Sequence, residues 1–198
     1  MDITLMVKTA KTEKILDAAQ QLLNAEGDYG LTMRQVALKT GMSLSNVQYY
    51  FKTRDDLLKA LADRYFAGCL EELRALEIAR SQDPSPRDLE TLILIFLKHG
   101  WELSEMCRIF REYWAISTRN PAIDSYVKDY YREVASVLEA KLRPMASTDR
   151  GLSRAISLFI PYAEGYSITA TAMPADMDTM AKTLADIMFE LLQEQTQG

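Results

Sequence analysis

A chain of 198 residues, 48% hydrophobic and 26% charged, with 23 Lys and Arg against 28 Asp and Glu, has an ordinary globular composition and enough length to bury a core. Its single histidine, His99, excludes a two-histidine metal site, and two cysteines, Cys69 and Cys107, can build neither a zinc cluster nor a disulfide framework. The apolar run from Leu92 to Leu97 is far too short to cross a bilayer and the N-terminus lacks a signal peptide's apolar core, so a cytoplasmic protein with no membrane partner is expected.

Apolar residues recur at helical spacing almost throughout, and nothing alternates with period two, so the expected fold class is all-α. Thr12 to Ala25 places Ile15, Ala18, Ala19, Leu22 and Leu23 on one face of a helix that ends at Gly27. Thr32 caps a short helix ending before Gly41, and Ser43 caps a second that runs to about Tyr50. Thr53 followed by Asp55 and Asp56 opens a long helix towards Arg80, since the helix dipole favours acids in the first turn. Pro84 and Pro86 break the helical pattern. Further helices are predicted from Asp88 to about Leu103, Ser104 to Thr118, Ile123 to Leu142, Asp149 to Ala172 with a kink at Pro161, and from Asp176 to near Glu194.

The stretch from Thr32 to Leu58 carries the functional signal. It reads as helix, tight turn at Gly41 and second helix, the helix-turn-helix arrangement. Val36, Met42, Val47 and Phe51 are spaced to share a core, which turns Leu44, Ser45, Asn46, Gln48 and Tyr49 outward. That face has few charges but many groups able to hydrogen-bond base edges, while the Leu44 methyls suit a thymine methyl. Tyr49, Tyr50, Lys52 and Arg54 offer hydroxyls and cations for flanking phosphates, and Thr32, Arg34 and Ser43 complete the expected DNA-binding set. The net charge of −5 does not oppose this, because residues 1–54 hold seven Lys and Arg against five acids, a local +2 that leaves −7 on the remainder. Screening confines the relevant field to about 8–10 Å.

These residues resemble the TetR family of bacterial transcriptional regulators. The resemblance covers residues 11–58 and rests on Thr32, Val36-Ala37, Gly41-Met42-Ser43, Tyr50-Phe51 and Thr53-Arg54-Asp55-Asp56-Leu57-Leu58. The chain departs from the family's frequent Gly at Ser45 and its frequent Leu-Tyr at Val47-Gln48, so Tyr49 and Tyr50 take over the phosphate contact. The resemblance implies a three-helix DNA-binding domain over residues 1–54, joined by a long helix to a ligand-binding and dimerisation domain over 55–198. It further implies a double-stranded palindromic operator, an unidentified small-molecule effector, and a homodimer formed through the last two helices. The apolar residues of those helices, Ile156, Phe159, Ile160, Ile168, Leu184, Ile187, Met188 and Leu191, fit that dimer or, on the plainer reading, close the monomer's own core.

By the same resemblance, His99, Trp101, Phe110, Arg111, Trp114, Tyr130, Tyr162 and Tyr166 are candidates to line an effector cavity, against the plainer reading that aromatics at helical spacing fill the core. No Gly-rich phosphate loop, nucleophile elbow or metal-ligand spacing is present, so neither enzymatic activity nor a cofactor is expected. The competing class is a helical adaptor that binds no DNA.

Overall fold

The computed structural model describes residues 3–77, 85–101 and 105–195, with side chains for 9–77, 85–98 and 109–195. Nine α-helices and two short 3-10 turns make up these residues, and no strand occurs among them: α1 Ile3–Gly30, α2 Met33–Thr40, α3 Leu44–Tyr50, α4 Arg54–Ala75, α5 Pro86–Trp101, α6 Glu105–Ser117, α7 Pro121–Leu142, α8 Asp149–Thr169 and α9 Met177–Leu192. They form two compact units, residues 1–69 with 108–130 and residues 70–107 with 131–198.

In the first unit the apolar face read from the sequence closes the core. Ile15, Ala19, Leu23, Val36, Val47 and Leu58 are all buried. Each short helix is bounded by its own residues. The Thr32 hydroxyl accepts from the Gln35 N–H at 3.2 Å, and Ser43 does the same for Asn46. Between them Gly41 takes φ 67°, with its own N–H on the Leu38 carbonyl and that of Met42 on Ala37, the paired bonds of a Schellman turn. At α4, Thr53 and Asp56 exchange backbone-to-side-chain hydrogen bonds of 3.0 and 3.1 Å in a capping box. The Thr53 hydroxyl is the main reason the Asp56 carboxyl lies below its ordinary range.

α1 starts at Ile3, nine residues before the predicted Thr12, because nothing upstream of Thr12 breaks a helix. Its regular geometry ends at Gly27, as the sequence predicts, where φ is 67°, and the residues on to Gly30 lie beyond that kink. α4 stops at Ala75 rather than near Arg80. In the second unit the Lys141 ammonium of α7 donates to the carbonyls of Arg74 (2.9 Å) and Leu76, covering acceptors that the helix end leaves open. A partner more than 60 residues away is invisible to a local pattern.

The second unit packs α5 against α8 and α9, with the Phe96 and Phe159 rings meeting edge-on at 4.9 Å. α8 continues through Pro161, which lies on its exposed face. Of these eight apolar residues, Ile156, Phe159, Leu184 and Met188 are buried within the chain, as the plainer reading has it, because two helices that also close their own core must split their apolar residues between two faces. Ile168 and Ile187 remain exposed, 53% and 43%, with Leu158 beside them in α8's outward set, and Ile160 and Leu191 are half-buried.

A Cβ added at Gly151 would stand 2.2 Å from the Leu191 carbonyl oxygen, whereas one added at Gly165 would meet nothing within 4 Å. Gly151→Ala is therefore expected to destabilise the protein by about 1–3 kcal/mol through overpacking against backbone. Gly165→Ala should raise stability by up to about 1 kcal/mol through helix propensity. Paired thermal melts check the opposite signs; a Gly151→Ala protein as stable as Gly165→Ala removes the close-approach argument. No helix among the described residues is long and apolar enough to cross a membrane.

Candidate DNA-reading face and its support

α3 owes its orientation to Val47, fully buried at its centre, and to Phe51 just beyond its end. Pinning those two residues leaves Ser45, Gln48 and Tyr49 exposed, with Leu44, Asn46 and Tyr50 half-buried. The Tyr49 ring is 73% exposed and meets Tyr50 edge-on at 5.2 Å, so one aromatic braces the other at the end of the helix. Ser45 shares a 3.1 Å hydrogen bond with the capping Ser43 hydroxyl. Thr32 and Arg34 at the start of α2, and Lys52 after α3, are exposed. Apart from the exposed Leu38 of α2, the outward surface of α2 and α3 is polar and free of acids, a donor and acceptor array of the kind that meets base edges.

Arg54, expected at a phosphate, is also engaged within the chain. Its Nε donates to the Leu31 carbonyl at 2.7 Å, and one Nη donates to both the carbonyl of Asp28, at 2.9 Å, and its carboxylate. The side chain is 31% exposed and Asp28 only 13%. Asp28 also accepts from Arg119, in the turn after α6, at 2.6 Å, and its backbone N–H donates to the Glu112 carboxylate at 3.0 Å. Partial burial alone would push the Asp28 carboxyl up, but the hydrogen bonds from Arg119 and Arg54 outweigh it and hold the group below the ordinary carboxylate range. Sequence reading missed Asp28, Glu112 and Arg119 as a set, because they lie 84 and 91 residues apart along the chain.

The expected ligand residues separate. Phe110 and Tyr130 belong to the first unit and stack on the buried Phe66 at 4.9 and 4.3 Å, alongside half-buried Arg111 and Trp114. Tyr162 and Tyr166 belong to the second unit and stack on each other at 5.9 Å; burial raises both phenols. The side chains of His99 and Trp101 lie outside the described residues. Glu164, on the same helix as the tyrosine pair, has its carboxyl raised by burial and partly brought back by the Tyr131 hydroxyl. A cleft of about 160 Å³ in the second unit, lined by residues such as Leu76, Arg87 and Ile95, includes none of the eight candidates.

A capped helix, a left-handed glycine turn and an outward polar helix define a helix-turn-helix DNA-binding protein. Comparison with known proteins refines this. Residues 15–61 match the model for bacterial regulatory proteins of the tetR family. Over 187 residues the chain is 53% identical to an uncharacterized HTH-type transcriptional regulator in the dhlA 5′ region of Xanthobacter autotrophicus, covering 94% of this chain and 93% of the relative. In fold it is similar to the multidrug binding protein EbrR in its imidazole complex (TM-score 0.69, 20% identity, 94% and 97% of the two chains covered). It is likewise similar to SmeT in its triclosan complex (TM-score 0.69, 16% identity, 94% and 93% covered). The chain belongs to the TetR family: it is a DNA-binding transcriptional regulator, not an enzyme.

Proposed function

We propose that this regulator is a homodimeric, ligand-responsive repressor that reads a palindromic operator through α3. The observation that carries the reading is the outward set Ser45, Gln48 and Tyr49, held there by the burial of Val47. Gln48 is the base-reading side chain, since its amide can bond an adenine edge bidentately. Thr32, Arg34, Tyr49 and Lys52 are the phosphate contacts, with the hydroxyls of Ser43 and Tyr50 beside them. Leu44, Ser45 and Asn46 complete the base-facing surface.

Two copies set their α3 helices about 34–36 Å apart, one turn of DNA. The two-fold axis runs through the exposed apolar residues Leu158, Ile168 and Ile187 of the last two helices. Residues 1–54 then serve as the DNA-binding domain and 55–198 as the ligand-binding and dimerisation domain, acting in the cytoplasm. Two fold relatives are described as complexes with imidazole and triclosan, which supports a small organic effector. The stacked pair Tyr162 and Tyr166 of the second unit suits an aromatic ligand.

The test is selection of duplexes from a random pool, followed by titration of the winner across salt concentration. A palindrome bound by two subunits, with affinity falling steeply as salt rises, is the expected result. Ile168→Asp with Ile187→Asp should give a folded monomer that binds the palindrome far more weakly. A variant that remains dimeric would place the two-fold axis elsewhere. Selection of no sequence at all would overturn the operator reading.

A further inference from the structure

Three separate elements converge on residues 27–31, the stretch between the kink at Gly27 and the cap of α2. From α6, the Glu112 carboxylate takes the Asp28 backbone N–H at 3.0 Å. From the turn after α6, Arg119 donates at 2.6 Å to the Asp28 carboxylate, while its other Nη holds the Ala115 carbonyl of α6 at 3.0 Å. From α4, Arg54 binds the Asp28 and Leu31 carbonyls.

The two cations and two anions neutralise one another around a single joint. The joint itself is built to fit. Gly27 takes φ 67°, a conformation that calls for glycine, and a Cβ there would stand 3.3 Å from a Glu112 oxygen. Leu31, at the far end of the joint, is completely buried and is followed directly by Thr32, the cap of α2. The Schellman turn at Gly41 then fixes α3 to α2, so the direction of the joint is the direction of the reading helix.

The same stretch of chain also grips α4. The Tyr113 hydroxyl donates to the Leu58 carbonyl at 2.6 Å, and the Asn120 amide to Asp55 at 2.9 Å. Residues 108–130 accordingly fall in one compact unit with the DNA-binding helices.

We infer that Glu112 and Arg119 are positioning residues for DNA binding: from α6 they hold the α1–α2 joint at Asp28, and so set the orientation in which α3 meets the operator. The inference rests on α3 being the reading helix. It differs from a purely stabilising role because Arg119 is 47% exposed, and ion pairs at that exposure contribute little to folding stability. It differs from phosphate binding because the charge of Arg119 is already opposed by Asp28.

The experiment uses the full-length protein and the duplex selected by the wild type. Affinity is measured across salt concentration and across single-base variants of that duplex for Arg119→Ala, Glu112→Ala and Glu112→Gln, with a thermal melt of each. Arg119→Ala and Glu112→Ala should each weaken binding by about fivefold or more, a typical coupling between sites. The loss should be equal on every duplex with the salt slope close to wild type, and the melting midpoint of Arg119→Ala should also stay close to wild type. Glu112→Gln keeps an oxygen that accepts the Asp28 N–H, so it should bind like the wild type.

Unchanged affinity in both alanine variants would overturn the inference. So would a salt slope reduced by about one unit in Arg119→Ala, which would make Arg119 a phosphate contact. A melt that falls in step with affinity would reduce the cluster to a structural brace. If the wild type selects no duplex, the reading of α3 fails first and the inference falls with it.

Discussion

Arg54→Ala is expected to weaken operator binding about tenfold or more while leaving its salt dependence as steep as in the wild type. A cation beside the reading helix would ordinarily be assigned to a phosphate, and its removal would then lower the salt slope by about one unit. The geometry argues otherwise. Three hydrogen bonds bind the Arg54 guanidinium to Asp28 and Leu31, with lengths of 2.7 and 2.9 Å to the two carbonyls.

Truncation strips a charged donor from two backbone carbonyls and leaves Asp28, only 13% exposed, with Arg119 as its one remaining cation. Hydrogen bonds to charged groups contribute about 1.5–3 kcal/mol when a partner is lost, so stability should fall by roughly that amount. Chemical denaturation measures this term, and the salt titration separates it from phosphate contact. A slope lowered by one unit with an unchanged denaturation midpoint would return Arg54 to the DNA-contacting set. Arg54→Lys should rescue only in part, because an ammonium cannot reproduce the planar fork.

Phe66→Ala should cost about 3–5 kcal/mol, the usual range for emptying a buried aromatic site. Phe66 lies in α4 and is 2% exposed. Its ring stacks on Phe110, Tyr126 and Tyr130 at 4.9, 5.7 and 4.3 Å and meets Tyr113 at 5.4 Å with the planes 62° apart. Tyr113 is itself fully buried, and its phenol is pushed far above the ordinary range by that burial.

Collapse cannot refill the space easily, because these rings are held from three helices, α4, α6 and α7. Against a total stability of about 5–15 kcal/mol, the variant should melt far below the wild type or fail to fold at ordinary temperature. Phe66→Leu, which keeps most of the volume, should lose much less. A melt barely altered by Phe66→Ala would show that the rings form an adaptable cavity rather than a packed core. That outcome would move Phe110 and Tyr130 back among effector contacts.

The helices of the DNA-binding segment were legible because each is closed by residues inside it. Thr32, Gly41, Ser43 and the Thr53–Asp56 pair act within three or four positions of their targets, and the turn chemistry of those residue types has few alternatives. The alternation of buried Val36 and Val47 with exposed Gln35 and Gln48 follows from the helical period alone. The same reasoning does not reach the partners of Arg54. Composition shows a cation near a reading helix, but not that Asp28 and Leu31 have already taken its donors.

Short-range chemistry therefore determined the all-α class, the helix-turn-helix, its outward polar face and the family resemblance. Contacts between distant parts of the chain decided the rest. The end of α4 depends on Lys141, and the split of α8 and α9 between a core face and an exposed face depends on α5 packing against them. The joint before α2 depends on Glu112 and Arg119. A helical period records which side of a helix is apolar, and a cap records where it begins. Neither records which of several cations reaches a given carboxylate, because that choice is made only when the helices have packed.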